Sequence, residues 1–211
     1  MPPAPVNLNS TRTSTESAPP DTSLLRERIR QQWQRGLANG NGLWVFGYGS
    51  LIWRPEFDAA ERRPARVFGR HRALAMWSHV NRGTPAQPGL VFALLPGGSC
   101  RGFVFRVADD ATGQVFDRLW EREMPGAVYD PSWLPCHTPT GTVKALAFTL
   151  SRSSASYTGA LTPSQYRDIF QRASGRYGST LDYARDTYAS LAENGIRDRH
   201  LAQLLACADN P

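Results

Sequence analysis

Residues 45–53 read Val45-Phe46-Gly47-Tyr48-Gly49-Ser50-Leu51-Ile52-Trp53, an apolar run that is interrupted by two glycines, a tyrosine and a serine. Glycine permits positive φ angles and a close approach of the backbone, so the middle of this stretch is typical of a tight loop whose N–H groups face a ligand. A dinucleotide fingerprint would need a third glycine ahead of a helix, and Arg54 and Pro55 follow instead. The alternative interpretation is a glycine-containing strand end without a ligand.

The length and composition of the chain fit one folded domain with an appendage, or at most two small domains. The 211 residues are 41% hydrophobic and include six tryptophans, which is enough for a hydrophobic core. No apolar run approaches the roughly 20 residues of a membrane span, and the N-terminus lacks the apolar region of a signal peptide. We therefore expect a cytoplasmic protein that has no membrane partner.

The charged residues bear on the class of binding partner, and the cysteines bear on the cellular compartment. The net charge is +6, the arginines are spread along the chain, and Lys144 is the only lysine. This charge favours acidic partners, whether nucleic acid or an anionic small substrate, without choosing between them. Cys100, Cys136 and Cys207 are widely spaced and form no CxxC pair, which predicts a reducing compartment and neither a disulfide framework nor a zinc site.

Three segments of different character follow one another along the chain. Residues 1–22 are rich in Pro, Ser, Thr and Asn, and we predict a disordered tail there. Residues 23–42 are predicted to form an N-terminal helix and a linker, because Leu25, Ile29 and Trp33 recur every four residues ahead of a glycine-rich stop. Residues 43–207 are predicted to form the domain itself.

Within that domain, short segments rich in Val, Phe and Leu and bounded by Gly or Pro predict β-strands. They are Leu43–Gly47, about Ala65–His79, Leu90–Leu95, Cys100–Val107 and Val143–Leu150, with a hairpin turn at Pro96-Gly97-Gly98-Ser99. Helices are predicted at about Asp110–Met124, Thr162–Ser174, Ser179–Asn194 and Asp198–Cys207. Because the strands follow too closely for helical crossovers, the fold class is predicted to be α+β, a small and mostly antiparallel β-barrel flanked by helices in a single domain.

One acidic residue lies on the wrong face of the predicted helix at 110–124. With about 100° per residue, the apolar residues of this helix form an arc centred near 80° when Val115 is taken as zero. Glu123 falls at roughly 80°, in the middle of the arc, whereas Glu121 falls on the opposite side. A carboxylate that faces a core has a raised pKa and can act as a general base near neutral pH. The alternative is that Glu123 lies past the last helical turn and forms a salt bridge with one of the many arginines.

Four motifs of this chain occur in an order and spacing that resemble a known family. They are the stretch at 45–53, Arg82-Gly83-Thr84-Pro85 with Pro88-Gly89-Leu90, Arg101-Gly102, and Arg122-Glu123-Met124. Together they resemble the ChaC family of γ-glutamylcyclotransferases, from about Trp44 to about Leu205. The resemblance implies a small barrel with flanking helices, and cleavage of glutathione to 5-oxoproline and cysteinylglycine without a metal or another cofactor.

The resemblance also implies a set of site residues. It places the catalytic carboxylate at Glu123, the residue that the helical arc had singled out independently. Arg82 and Tyr183 are second-tier candidates, and Tyr129 is left out because the residues between it and the Arg-Glu pair differ from the family's Gly-Gly-Tyr. The substrate-binding loop carries over to Val45, Phe46, Gly47, Tyr48, Gly49 and Ser50.

Two other classes of function stay open at this point. The chain could be a cyclotransferase for other γ-glutamyl amino acids or amines, or a non-catalytic regulatory protein that binds the same ligands. For either enzyme we expect a small-molecule substrate, no nucleic-acid partner, and a monomer or weak dimer.

Overall fold

The structure is a computed structural model that describes residues 21–38 and 42–209. The predicted tail at 1–22 falls almost wholly outside the described residues, as does most of the linker that follows the first helix. The bounds predicted for the three segments therefore remain predictions.

Five strands close into a barrel whose order is β1-β3-β2-β4-β5. Every pairing is antiparallel except the one that closes the barrel, where β1 runs parallel to β5 at Val45 and Leu146. This confirms the predicted fold class. The bounds of the strands are β1 Leu43–Gly47, β2 Ala59–Ser78, β3 Gly89–Val107, β4 Asp130–Thr138 and β5 Gly141–Thr149, with a two-stranded ribbon of β6 Ser174–Gly175 and β7 Gly178–Ser179.

The predicted hairpin turn at 96–99 is wrong, because β3 runs through it as one strand of 19 residues. It stays paired with β2 on both sides, from Phe68 opposite Ser99 to Arg70 opposite Pro96. The register shifts there, since one residue of β2 faces two glycines of β3, Gly97 and Gly98, both with positive φ. The glycines therefore form a β-bulge that bends a long strand instead of reversing it.

Strand β4 was not predicted from the sequence. Pro131 and Pro135 lie within it, and both remove a backbone donor. The strand tolerates them because it pairs along its length with β5 alone and touches β2 only where Arg66 faces His137. Proline is tolerated in a strand that has one unpaired side. The two prolines are also the reason that the composition of this segment did not predict a strand.

The helices pack on the outside of the barrel and confirm the predicted helical segments. Thr162 caps α3 with a capping box and Pro163 begins it, while Ser179 caps α4. The bounds are α1 Ser23–Ala38, α2 Thr112–Glu123, α3 Pro163–Arg172, α4 Thr180–Glu193 and α5 Arg199–Asp209, with a short 3-10 turn at Ser50–Ile52.

Helices α1 and α2 share one hydrophobic cluster with strands β1, β3 and β5 of the barrel. The α2 side chains Val115, Phe116, Leu119 and Trp120 are all at most 5% exposed, as the helical arc predicts. Trp33 of α1 stacks on Phe116 with ring centroids 5.7 Å apart. This packing fixes the rotation of α2, and it therefore decides which way the residue at its C-terminal end points.

Candidate active site

The loop that follows β1 brings bare backbone donors to the end of the barrel. The chain leaves β1 at Gly47 and turns at residues 50–52, where the Ile52 N–H donates to the Gly49 carbonyl oxygen at 3.0 Å. The N–H groups of Gly49 and Ser50 donate to no acceptor among the described residues. Two unpaired donors on one loop can bind an anionic group of a ligand.

A side chain at position 49 would crowd the tyrosine that lies above it. A Cβ atom at this position would lie 3.1 Å from the Tyr183 hydroxyl oxygen and 3.4 Å from the Phe92 Cβ. Tyr183 belongs to α4 and Phe92 to β3, so two separate elements close over the loop. The close approach keeps the loop backbone, and not a side chain, at the surface of the site.

Glu123 ends helix α2 and points towards this loop. Only 15% of its side chain is exposed, although it lies in the last turn of the helix. Burial raises the pKa of the Glu123 carboxyl, and the negative charge of Glu56 adds to the rise, while the Arg122 guanidinium opposes it. The group is thus a carboxylate whose proton affinity is increased, as a general base needs.

Arg122 connects Glu123 to the loop through a network of polar contacts. Its Nε lies 3.1 Å from Glu123 Oε1, and its Nη2 donates to Ser50 Oγ at 2.9 Å. Its Nη1 lies 3.0 Å from Glu56 Oε2, and Glu56 also pairs with Arg54 at 2.8 Å. One guanidinium therefore holds the base, the loop serine and a second carboxylate in a fixed arrangement.

Three buried tyrosines complete the inner wall. The Tyr48 hydroxyl donates to the Phe148 carbonyl oxygen at 2.7 Å, and the Tyr129 hydroxyl donates to the Phe92 carbonyl oxygen at 3.3 Å. Tyr183 accepts a hydrogen bond from the Phe92 N–H at 3.4 Å. Burial raises the pKa of each of these phenols, so all three hydroxyls stay neutral, and the Tyr183 hydroxyl, which accepts here, keeps its proton to donate.

Two connected cavities lie between these groups. The inner cavity has a volume of about 30 Å³, enough for one water or one small polar group, and the outer pocket has about 570 Å³. Four residues line both of them: Ser50, Glu123, Tyr129 and Tyr183. The general-base candidate therefore lies at the junction. A groove of about 710 Å³ between α1 and α2 contains none of these four residues.

Arg82 lies in the outer pocket, on the loop between β2 and β3. Its guanidinium lies over the Tyr183 ring, 4.8 Å from the centroid, and donates to the Tyr177 carbonyl oxygen. The loop is drawn tight behind it, because a Cβ atom on Gly83 would lie 2.0 Å from the Gly89 backbone nitrogen. A guanidinium has five N–H donors, so Arg82 keeps donors for a ligand carboxylate.

The structure brings most of the predicted site residues together, but not all of them. Tyr48, Gly49 and Ser50 line the inner cavity with Glu123 and Tyr183, and Arg82 lines the outer pocket. The other three members of the predicted loop line neither cavity. Val45 and Phe46 are fully buried in the core, and a Cβ atom on Gly47 would lie 2.8 Å from the Phe105 ring.

Four residues of the polar network and inner wall described above were not predicted as part of the site. Tyr129 was left out because a longer spacer separates it from the Arg-Glu pair, and its tyrosine match was the signal that could have included it. Arg122 is the first residue of that same pair. Phe92 and Glu56 gave no signal, because their roles depend on which elements the fold brings together.

Residues 21–38 and 42–209 contain no cluster of three or more His, Cys, Asp and Glu side chains that could hold a metal ion. Cys100, Cys136 and Cys207 are all free. In the same part of the chain, no helix is long and apolar enough to cross a membrane.

The fold matches that of solved γ-glutamylcyclotransferases. A yeast protein described as a γ-glutamylcyclotransferase specific to glutathione superposes with a TM-score of 0.72. The alignment covers 80% of this chain and 96% of the yeast chain, at 22% sequence identity. A likeness at that level of identity defines the class of fold.

Sequence comparison defines the family. The model of ChaC-like proteins matches residues 43–210, so the chain belongs to the ChaC family. It is 32% identical to the glutathione-specific gamma-glutamylcyclotransferase of Escherichia coli K12, over 77% of this chain and 71% of that protein. It is 28% identical to the human glutathione-specific gamma-glutamylcyclotransferase 1, over 90% of each chain.

Proposed function

We propose that this protein cleaves glutathione to 5-oxo-L-proline and L-cysteinylglycine, with Glu123 as the general acid and base. The observation that carries the proposal is a buried carboxylate at the junction of two cavities, facing a loop with unpaired N–H groups. The names of the bacterial and human relatives support glutathione as the substrate. The alternative substrates are other γ-glutamyl amino acids or amines.

The substrate supplies its own nucleophile in this reaction. The α-amine of the γ-glutamyl group attacks the γ-carbonyl carbon and closes a five-membered ring. Holding the reactive conformer of such an intramolecular reaction can contribute up to about 7–11 kcal/mol. The inner cavity suits the α-carboxylate, which would accept hydrogen bonds from the Gly49 and Ser50 N–H groups.

Glu123 moves the proton that the cyclisation requires. The α-ammonium gives a proton to the Glu123 carboxylate, and the free amine then forms the new C–N bond. Negative charge on the tetrahedral oxygen is stabilised by the neutral hydroxyl of Tyr183, which lines both cavities and only accepts a hydrogen bond among the described residues. When the old C–N bond breaks, Glu123 returns the proton to the departing nitrogen and the tetrahedral oxygen becomes the lactam carbonyl. The second proton of the attacking nitrogen then passes through the same carboxylate, so that the amine of cysteinylglycine leaves as an ammonium.

The outer pocket receives the cysteinylglycine part of the substrate. Arg82 lines this pocket and offers a planar donor group to the glycine carboxylate. We also propose that the enzyme works without a cofactor in the cytoplasm, as a monomer or weak dimer with no nucleic-acid partner.

The test is to incubate the purified protein with reduced glutathione and, separately, with γ-glutamyl-alanine, and to identify the products by mass spectrometry. We expect 5-oxoproline and cysteinylglycine from glutathione and an intact dipeptide. Cleavage of the dipeptide at a comparable rate would move the assignment to a broader cyclotransferase. Tight binding of glutathione without any product would instead support a regulatory binding protein.

A further inference from the structure

A buried ion pair contacts the loop without lining either cavity. Arg72 of β2 donates from Nε and Nη2 to Asp198 Oδ2, at 3.0 and 2.7 Å. The side chains of Arg72 and Asp198 are only 5% and 16% exposed. Taking two charges out of water is costly, so a buried pair of this kind is weak evidence for stability and calls for another explanation.

Asp198 is held in place independently of the arginine. Its Oδ1 accepts a hydrogen bond from the Leu201 N–H at 3.0 Å, which ties it to the start of helix α5. Burial alone would raise the pKa of Asp198, but the Arg72 charge and the Leu201 N–H outweigh it, so that the pKa is lowered. The carboxylate is therefore an ionised anchor for the guanidinium.

The remaining arm of the guanidinium reaches the loop itself. Arg72 Nη1 donates to the Tyr48 carbonyl oxygen at 2.9 Å and to the Arg101 carbonyl oxygen at 3.1 Å. A trans peptide is planar, and its C=O and N–H bonds point in opposite directions. Because Arg72 draws the Tyr48 carbonyl towards itself, the Gly49 N–H of the same peptide points the other way, and Gly49 lines the inner cavity.

The local sequence alone does not fix the orientation of the Tyr48–Gly49 peptide. Rotation of a peptide unit requires large changes in ψ of the first residue and φ of the second, and glycine accepts positive as well as negative φ. With Gly49 as the second residue, the Tyr48–Gly49 peptide could turn its carbonyl oxygen into the cavity. That orientation would place a negative dipole where the proposed substrate carries its α-carboxylate.

We propose that Arg72, anchored by Asp198, is a positioning residue that fixes the Tyr48–Gly49 peptide so that its N–H faces the substrate carboxylate. The inference rests on the proposed function and deepens it. A positioning role also gives a reason for the buried ion pair, which its contribution to the stability of the fold does not. Arg72 itself touches no substrate atom.

The first arm of the test needs no substrate. Crystal structures of the wild-type protein and of Arg72→Lys would show the orientation of the Tyr48–Gly49 peptide directly. A lysine ammonium can keep the charge beside Asp198 but lacks the planar fork that reaches two acceptors at once. We expect a rotated or disordered peptide in Arg72→Lys, and an unchanged peptide in Arg66→Lys, an exposed control on the same strand that contacts Ser99. A wild-type orientation in Arg72→Lys would overturn the inference.

The second arm measures glutathione turnover across the same variants. Losing a hydrogen bond to a charged group should lower kcat/KM by about 10- to 100-fold, mainly through KM, and the acid limb of the pH profile should not move because Glu123 is intact. Asp198→Asn keeps the oxygen that caps α5 and should give a smaller loss of the same kind. A fall in kcat with unchanged KM, or no change despite a rotated peptide, would also overturn the inference.

The two arms separate this inference from the proposed function. If the wild-type protein neither cleaves nor binds glutathione, the proposed function fails, and the substrate-directing role of Arg72 fails with it. If the wild-type protein is active and Arg72→Lys has the same kinetics, only the role of Arg72 is lost.

Discussion

The inner cavity and the outer pocket share one wall but are lined by different kinds of residues. The inner cavity is lined by a glycine loop, aromatic rings and hydroxyls, drawn from the loop after β1, from β3, β5, α2 and α4, and from the segment before β4. The outer pocket is larger and carries four arginines on its wall: Arg54, Arg82, Arg122 and Arg176. In the proposed mechanism, the reaction and the recognition of the leaving group therefore belong to separate parts of the molecule. Glu123 lies where the two meet.

The two cavities also differ in their electrostatic properties. Burial keeps the hydroxyls of Tyr48, Tyr129 and Tyr183 neutral in the inner cavity and raises the pKa of Glu123. In the outer pocket Tyr177 lies between two guanidiniums, those of Arg54 and Arg176, each 5.3 Å from its ring centroid. A proton can be moved in the first environment, and an anion is attracted to the second.

After the loss of Glu123 itself, the largest effect should follow from Gly49→Ala. The added Cβ would lie 3.1 Å from the Tyr183 hydroxyl oxygen, so the loop or the Tyr183 side chain has to move by a few tenths of an ångström. A displacement of this kind near the reacting atoms can cost about a hundredfold in rate, and we expect that loss in kcat/KM for glutathione. Gly113→Ala is the matched control, because a Cβ there meets nothing within 4 Å. Equal activity of the two variants would contradict the proposed role of the loop.

Arg82→Gln should affect the outer pocket alone. Removing the charged donor should raise KM for glutathione by about 10- to 100-fold while kcat changes little, because the lost contact is the same in the bound and transition states. Steady-state kinetics separate the two constants. Arg172→Gln is the control, since Arg172 pairs with Asp168 on an exposed helix face. A large fall in kcat for Arg82→Gln would mean that the two cavities do not divide the work as proposed.

Arg122→Gln should shift the pH dependence of the reaction. The charge of Arg122 lowers the pKa of Glu123 and also neutralises Glu56, whose charge raises it. Both effects of the substitution therefore raise the pKa of Glu123. A base works only when it is unprotonated, so the acid limb of kcat/KM should move to higher pH.

The control for that shift is Arg118→Gln, an exposed position on the same helix whose side chain contacts Gln114. It should leave the acid limb where the wild-type protein has it. An acid limb that moves to lower pH in Arg122→Gln would contradict the assignment of Glu123 as the base.

The smallest expected effect is on stability. The pKa of Glu123 is higher in the folded protein than its ordinary value of 4.5, so the folded state holds this proton more tightly than the unfolded state does. The free energy of unfolding then falls as pH rises from 4.5 through the folded pKa. Glu123→Gln lacks this loss and should gain stability relative to the wild-type protein at pH 7.5 but not at pH 4.

Thermal denaturation at the two pH values measures this difference. Each kcal/mol of gain should raise Tm by about 2–4 °C in a chain of this size. Glu121→Gln, which alters an exposed carboxylate two residues earlier, should show no such dependence on pH. A Glu123→Gln variant that is less stable than the wild-type protein at pH 7.5 would contradict the raised pKa.

The sequence was sufficient where one local pattern decides the structure. The apolar arc of α2 predicts its buried face correctly, and it identifies Glu123 as the acidic residue that points inwards. Strand β1 has the predicted bounds, Leu43–Gly47. The caps Thr162 and Ser179 also begin their helices as the capping rules predict.

Prediction failed where pairing partners decide the structure. Pro96, Gly97, Gly98 and Ser99 are typical turn residues, yet pairing with the long strand β2 keeps them within the sheet as a bulge. The prolines of β4 are compatible with a strand only because one of its sides is almost unpaired, which no local signal reveals. The same limit applies to Arg72 and Asp198, whose contact joins positions 126 residues apart.

The most direct test compares glutathione turnover by Glu123→Gln and Glu121→Gln. Glutamine keeps the size and polarity of glutamate but cannot accept the proton, so Glu123→Gln should lose about two to four orders of magnitude in kcat. It should still bind glutathione, as calorimetry would show, while Glu121→Gln, which alters an exposed carboxylate on the wall of the outer pocket, should keep the kcat of the wild-type protein. Wild-type turnover by a folded Glu123→Gln variant would remove Glu123 from the mechanism and contradict the account.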